Sequence, residues 1–309
     1  MSKSADDLPR LLSDAPAGIP TYATTEEILA HPRFGIARNH YMRVMIDSYK
    51  ADTALRHMMH EIGRNVLFNI ILGQDARKDA DDPSTWPSVG SLRDVFMPFG
   101  LSSPRSFDDT LARMQIIGLI EIVPAPDDRR RRLVIPTEKM IHEDLIWLAD
   151  HMSPLAVLFP ERDDYLPALS HDRAHQSAQR IISTQNYGGA YEVVMPTDPI
   201  MAVLLRQDAM KIVFFYMLSA DESGDRQRAS LPYQSVAERT YTSRTHVRNL
   251  LNDLQAMGMV TLHEKGGRNV EIAPELWQII DYFLAKSMSG HDLVWQVARQ
   301  MVAADAMAA

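Results

Sequence analysis

Two short stretches of this chain, Ser102, Ser103, Arg105, Ser106 and Thr242, Ser243, Arg244, Thr245, His246, Arg248, combine small hydroxyls with guanidinium and imidazole groups. Side chains of these types hydrogen-bond to phosphate oxygens, and arginine offers a two-pronged donor to a guanine edge, worth about 1–3 kcal/mol of discrimination. Each stretch is followed by a basic turn: Arg129, Arg130, Arg131 and Arg132 after the first, Lys265 and Arg268 after the second. At the tip of a two-stranded ribbon such groups enter a minor groove or clamp its phosphates. Asp127 and Asp128 are placed to hold one arginine by a charge-assisted pair. The chemistry on offer is recognition of double-stranded DNA.

The elements that must position these groups are written twice. Residues 102–120 align without a gap on residues 242–260, with Ser103 on Ser243, Leu111 on Leu251, Gln115 on Gln255 and Gly118 on Gly258. Apolar positions coincide as well: Phe107 with Val247, Met114 with Leu254, Ile117 with Met257. Each copy reads as a helix capped by Ser or Thr and stopped by glycine, then a strand, a polar turn and a second strand. Upstream, Leu67 to Leu72 matches Val213 to Leu218, and short helices are expected over 88–99 (Val89, Leu92, Val95 and Phe96 inward) and 231–240. A helix-turn-helix sets the first residues of its second helix on base edges, and the helix N-terminus adds free amides for a phosphate. The fold class expected is mainly α with small β-wings (α+β), organised as tandem winged helix-turn-helix domains. Residues 1–36 are read as an N-terminal arm and short helix, 37–151 as the first winged-helix domain, 152–199 as a proline-rich connector with one helix near Leu169 to Ser183, and 200–309 as the second domain with two C-terminal helices. Within the first domain the stretch before the loop at 75–87 is read as two helical segments, and a long helix over 138–151 closes it.

The segment LSSPRSFDDTLARMQIIGLIEIVPAPDDRRRRLVIPTEK resembles the recognition helix and wing of the MarR family of bacterial regulators. The family's Asp-x-Arg-Arg wing core is matched by Asp127 to Arg130, and its Leu-Thr-like end by Ile135 to Thr137. The resemblance spans residues 66–139 and, more weakly, 213–275. It implies a transcriptional regulator, a homodimer, and a small-molecule effector of unspecified identity near the dimerisation helices. Pro104, Asp108 and Asp109 depart from a strongly basic reading edge.

Composition bounds these readings. The 309 residues suffice for two cores, and 46% hydrophobic with 23% charged residues is ordinary globular composition. The net charge of -8 excludes a protein that coats nucleic acid indiscriminately; the positive charge sits in the two repeats and the acids in the tail and linkers. No apolar run reaches the roughly 20 residues of a membrane span, and the start MSKSADDLPRLL lacks a signal peptide's apolar core. A cytoplasmic, nucleoid-associated protein is expected. Cysteine is absent, so disulfides and thiolate chemistry are excluded. His57 with His60, and His171 with His175, have metal-compatible spacing but lack a third ligand, and the 18 methionines read as core filler. No phosphate loop, G-x-S-x-G elbow or H-E-x-x-H helix occurs, so neither catalysis nor a cofactor is expected. Two rivals share the outline: a plasmid-type replication initiator, and a tandem winged-helix accessory of chromosome organisation that grips protein.

Overall fold

The computed structural model describes residues 12, 18–48, 52–59, 61–185, 199–206 and 208–308. Most of the expected N-terminal arm, His60, and the part of the expected connector holding Gly188, Gly189 and Pro196 lie outside the described residues. The described chain is mainly helical, with two small antiparallel sheets.

The first half opens with α1 (Thr25–Ala30), whose Thr24 and Glu27 close a capping box, then α2 (Phe34–Asp47). Next come α3 (Thr53–Met59), α4 (Ile62–Ala76), α5 (Val89–Phe96) and α6 (Pro104–Ile116). Strand β1 (Ile120–Pro124) pairs antiparallel with β2 (Arg132–Pro136), and α7 (Glu138–Leu158) follows. The second half repeats the order: α8 (Leu166–Leu169), α9 (Arg173–Gln185), α10 (Pro199–Leu204), α11 (Ala209–Glu222), α12 (Tyr233–Thr240) and α13 (Arg244–Ala256). Its hairpin is β4 (Val260–Leu262) with β5 (Val270–Ile272), and α14 (Pro274–Ala308) ends it. A two-residue strand, β3 (Arg228–Ala229), adds to β5. The first half has the counterpart as a single bridge, Ser88 to Leu133.

Several expected boundaries move, for physical reasons. The span before the loop at 75–87 holds three helices, α2, α3 and α4, where two were expected. α7 runs past His151 and through Pro154, since Leu155 and Leu158 are fully buried and their contacts offset the lost backbone bond. The two expected C-terminal helices are one, α14, with Met288, Ser289 and Asp292 buried across the supposed break. Val95 is 44% exposed rather than inward, because Leu92 and Phe96 define the buried line and Val95 lies about 100° round from Phe96. The helix expected in the connector near Leu169 to Ser183 is α9, preceded by the short α8, and both are packed rather than linking: α8 lies on α7, and α9 lies between α4 and α14.

The apolar clusters do not follow the order of the chain. One unites residues of α3 to α6, β1, β2 and Met140 at the start of α7. A larger one gathers the whole second helix-and-hairpin unit together with Phe34, Ala37, Tyr41 and Met42 of α2 and the far end of α7. α2, which precedes the first unit, therefore completes the core of the second. Among the described residues no helix is long and apolar enough to cross a membrane.

Candidate nucleic-acid interface

The two units are built alike down to single hydrogen bonds. α6 and α13 are 13 residues each, and each is capped by a serine. Ser103 Oγ accepts from the Ser106 amide (3.2 Å), and Ser243 Oγ from the His246 amide (3.1 Å). Both helices end on a left-handed glycine, Gly118 (φ 75°) and Gly258 (φ 74°). The amide beyond each glycine returns to the last turn: Leu119 to the Met114 carbonyl (2.8 Å), Met259 to the Leu254 carbonyl (2.9 Å). This cap needs positive φ, which glycine adopts without cost. Phe107, Leu111 and Met114 of α6, and Val247, Leu251 and Leu254 of α13, are buried in their units, so the opposite faces of both helices are turned out. The turns before them differ. The first holds a 3₁₀ turn, Met97–Phe99, and Gly100; the second is short and passes through Tyr241 in the left-handed region (φ 57°).

Of the residues expected to read bases, Ser103, Arg105 and Ser106 in the first unit are exposed and Ser102 is half-buried. In the second, Ser243, Arg244, Thr245 and Arg248 are exposed, while Thr242 and His246 are half-buried. Thr242 is tied down, its hydroxyl against that of Thr240 (2.9 Å) and its amide on the Ala237 carbonyl (2.9 Å). The outward stripe of α13 runs Thr245, Arg248, Asn249, Asn252, all exposed. Sequence reasoning missed Asn249 and Asn252, although their spacing of three and four from Thr245 and Arg248 was the available signal. The matching stripe on α6 is Arg105, Asp108, Asp109, Ala112, also exposed. Asp108 pairs there with Arg93 of α5, whose guanidinium also lies over the Phe107 ring at 5.3 Å. One face thus offers amide and guanidinium donors, whereas the other carries two carboxylates.

The hairpins differ in the opposite sense. In the first, Arg129, Arg130 and Arg132 are exposed, with no acidic partner among the described residues. Arg131 is instead a brace: its guanidinium donates to Asp127 (2.8 Å) and to the Pro83 carbonyl (2.8 Å), fastening the hairpin to the loop before α5. That hydrogen bond holds the Asp127 carboxyl below its ordinary pKa. Asp128 shapes the turn, its side chain accepting from the Arg130 amide (2.9 Å) and its carbonyl from the Arg131 amide (2.9 Å). The second hairpin folds back on α12 through the Tyr233 amide to the Gly266 carbonyl (2.9 Å), and it presents Lys265 and Arg268 exposed. His263 pairs with Glu271 across it at 2.6 Å.

Of the histidines named for metal spacing, His171 and His175 are used otherwise, and His60 lies outside the described residues. His171 has a left-handed backbone (φ 61°) and meets the His142 ring edge-on. His175 hydrogen-bonds Asp172 at 2.8 Å. No group of three or more metal-binding side chains occurs among the described residues.

Compared with known proteins, the chain matches no family profile, no curated protein and no solved structure.

Proposed function

We propose that this chain is a sequence-specific DNA-binding transcriptional regulator carrying two winged helix-turn-helix heads of the MarR-like kind. The observation that supports this most is the uncovered stripe Thr245, Arg248, Asn249, Asn252 on a helix capped at its start and followed by a basic hairpin. Arginine matches guanine O6 and N7, and asparagine matches adenine N6 and N7, so the stripe has the donors that major-groove reading requires. The exposed arginines of the first hairpin supply the sequence-independent share of affinity through phosphates. The net charge of -8 suits a protein that binds through few contacts and depends on sequence. An effector ligand and attachment to the nucleoid belong to the same proposal.

The test is selection from a randomised duplex pool followed by titration of the winning duplex at several salt concentrations. Arg129→Ala with Arg130→Ala is expected to weaken binding to all duplexes and to reduce the salt slope by about 2. Arg248→Ala is expected to relax preference at one or two base positions by about 1–3 kcal/mol. A pool that emerges unenriched would remove DNA from the function and favour a protein partner.

A further inference from the structure

The duplication extends well beyond the two heads. Each half has seven described helices in the same order, so that α1 corresponds to α8, α2 to α9, and so on to α7 and α14. The packing between halves is reciprocal. α2 lies on its own α7 and crosses to α11 of the other half; α9 lies on its own α14 and crosses to α4. α1 packs on α14, and α8 packs on α7; α2 also touches α14, and α9 also touches α7. The long helices α7 and α14 meet each other.

The polar bonds repeat the exchange. Arg38 of α2 reaches Asp221 of α11 (3.0 Å) and Asp281 of α14 (3.5 Å). Arg180 of α9 reaches Asp144 of α7, its Nε lying 2.9 Å from both carboxylate oxygens, and Arg77 beyond α4 donates to the Ile181 carbonyl of α9. Tyr41 of α2 meets Ser287 of α14 at 3.1 Å. Asp292 of α14 accepts from the Ala23 amide just before α1 (2.7 Å). The second unit's core takes in α2 and the far end of α7, while α9 packs on α4 and joins Ala178 and Ile182 to Leu293, Val297 and Ala298 of α14 in a separate cluster.

We infer that one chain is an internal dimer, and that this single chain grips one duplex at two unlike half-sites. The second clause rests on the DNA-binding reading above. The half-site under α13 is read at base edges, because Arg248, Asn249 and Asn252 face outward there. The half-site under α6 is held chiefly by the hairpin arginines, because Asp109 and the Arg93-paired Asp108 occupy the matching positions and offer no donor to a purine edge. Arginine in a minor groove favours narrow A·T-rich DNA, so that half-site is A·T-rich and tolerant of sequence. The operator is therefore asymmetric, with one sharp half and one soft half.

The experiment uses the full chain with duplexes selected from a 40-base-pair randomised pool, weighed by mass photometry. The expected complex holds one chain per duplex, and the selected sequences share one sharp and one A·T-rich half. Asn249→Ala with Arg248→Ala is expected to erase the sharp half and leave the A·T preference, whereas Arg129→Ala with Arg130→Ala is expected to erase the A·T preference and leave the sharp half, at a lower affinity for every duplex. Two chains per duplex on a palindrome would overturn the inference, because each chain would then supply a single reading head. If no duplex is enriched, the DNA-binding reading fails and the one-duplex clause with it. The internal dimer is then judged separately, by placing a protease site after the exposed Glu161 of the full chain and cutting the folded protein. The two pieces are expected to stay together at the intact mass; their release as two folded bodies would overturn the interlock.

Discussion

Asp144 is wholly buried, and its carboxylate is satisfied by Arg180 and by Gln176, both of them also buried. The Arg180 guanidinium lies 4.5 Å from the centre of the Trp147 ring, which adds a cation–π contact to the ion pair. Removing one partner of such a pair strands a charge without water, which costs far more than the pair itself is worth. Asp144→Ala is therefore expected to destabilise the fold by about 3–5 kcal/mol, read as a lower urea midpoint. Asp144→Leu with Arg180→Met, which removes both charges, is expected to cost less; an equal or larger loss would mean that packing rather than the stranded charge carries the effect. Nothing in the spacing of the sequence marks Asp144 and Arg180 as partners, because they sit on separate helices and meet only after folding. Asn249 and Asn252, by contrast, were legible from their place on a helix whose buried face is plain in the sequence.

Where α4 crosses α9, the helices come so close that only glycine fits. A Cβ added at Gly73 would stand 2.1 Å from Thr184 Oγ1 and 2.8 Å from Thr184 Cβ. Thr184 is β-branched and its hydroxyl already donates to the Arg180 carbonyl (2.6 Å), so it has little freedom to move aside. Gly73→Ala should push the two helices apart at a cost of about 1–3 kcal/mol, even though alanine is the better helix former. Thermal unfolding of Gly73→Ala beside Gly73→Ala/Thr184→Gly checks this: the second change should restore part of the loss, and additive losses would place the clash elsewhere. The helix ends at Gly118 and Gly258 were legible from sequence, since a cap is local chemistry. The α4–α9 crossing was not, because it joins segments more than a hundred residues apart.

At the scale of the whole molecule the two long helices meet through aromatic rings. His151 of α7 stacks on Trp147 with ring centres 3.9 Å apart, and His291 of α14 stands 4.8 Å from His151. Burial pushes the His151 pKa down to about 4 and that of His291 well below its ordinary 6.5, with Arg180 adding to both. Between pH 6.5 and about 4 the unfolded chain binds protons that these folded imidazoles refuse. Their contribution to stability is thus present above pH 6.5 and lost as the pH falls through that window, amounting to about 3 kcal/mol for His151. Asp150 works in the opposite sense: burial raises its pKa to about 6, so acidification favours its folded form and offsets part of the loss. Urea unfolding of the parent and of His151→Gln/His291→Gln across this window isolates the histidines. The variant should lose less stability on acidification, and parallel pH profiles would clear the junction of any role.

The sequence by itself determined the repeated local units: α6 and α13 with their apolar stripes, the serine caps and glycine stops, the two hairpins, and the likeness of residues 102–120 to 242–260. These follow from backbone preference and from periodicity, which neighbouring residues decide among themselves. Only the tertiary structure decided which helix serves which core. α2 and α9 are amphipathic on any reading, and periodicity tells which face each will bury but not against whom. It also decided that Arg131 braces a hairpin while Arg129 and Arg130 stay free, because its partner, the Pro83 carbonyl, comes from a loop that folding alone brings near.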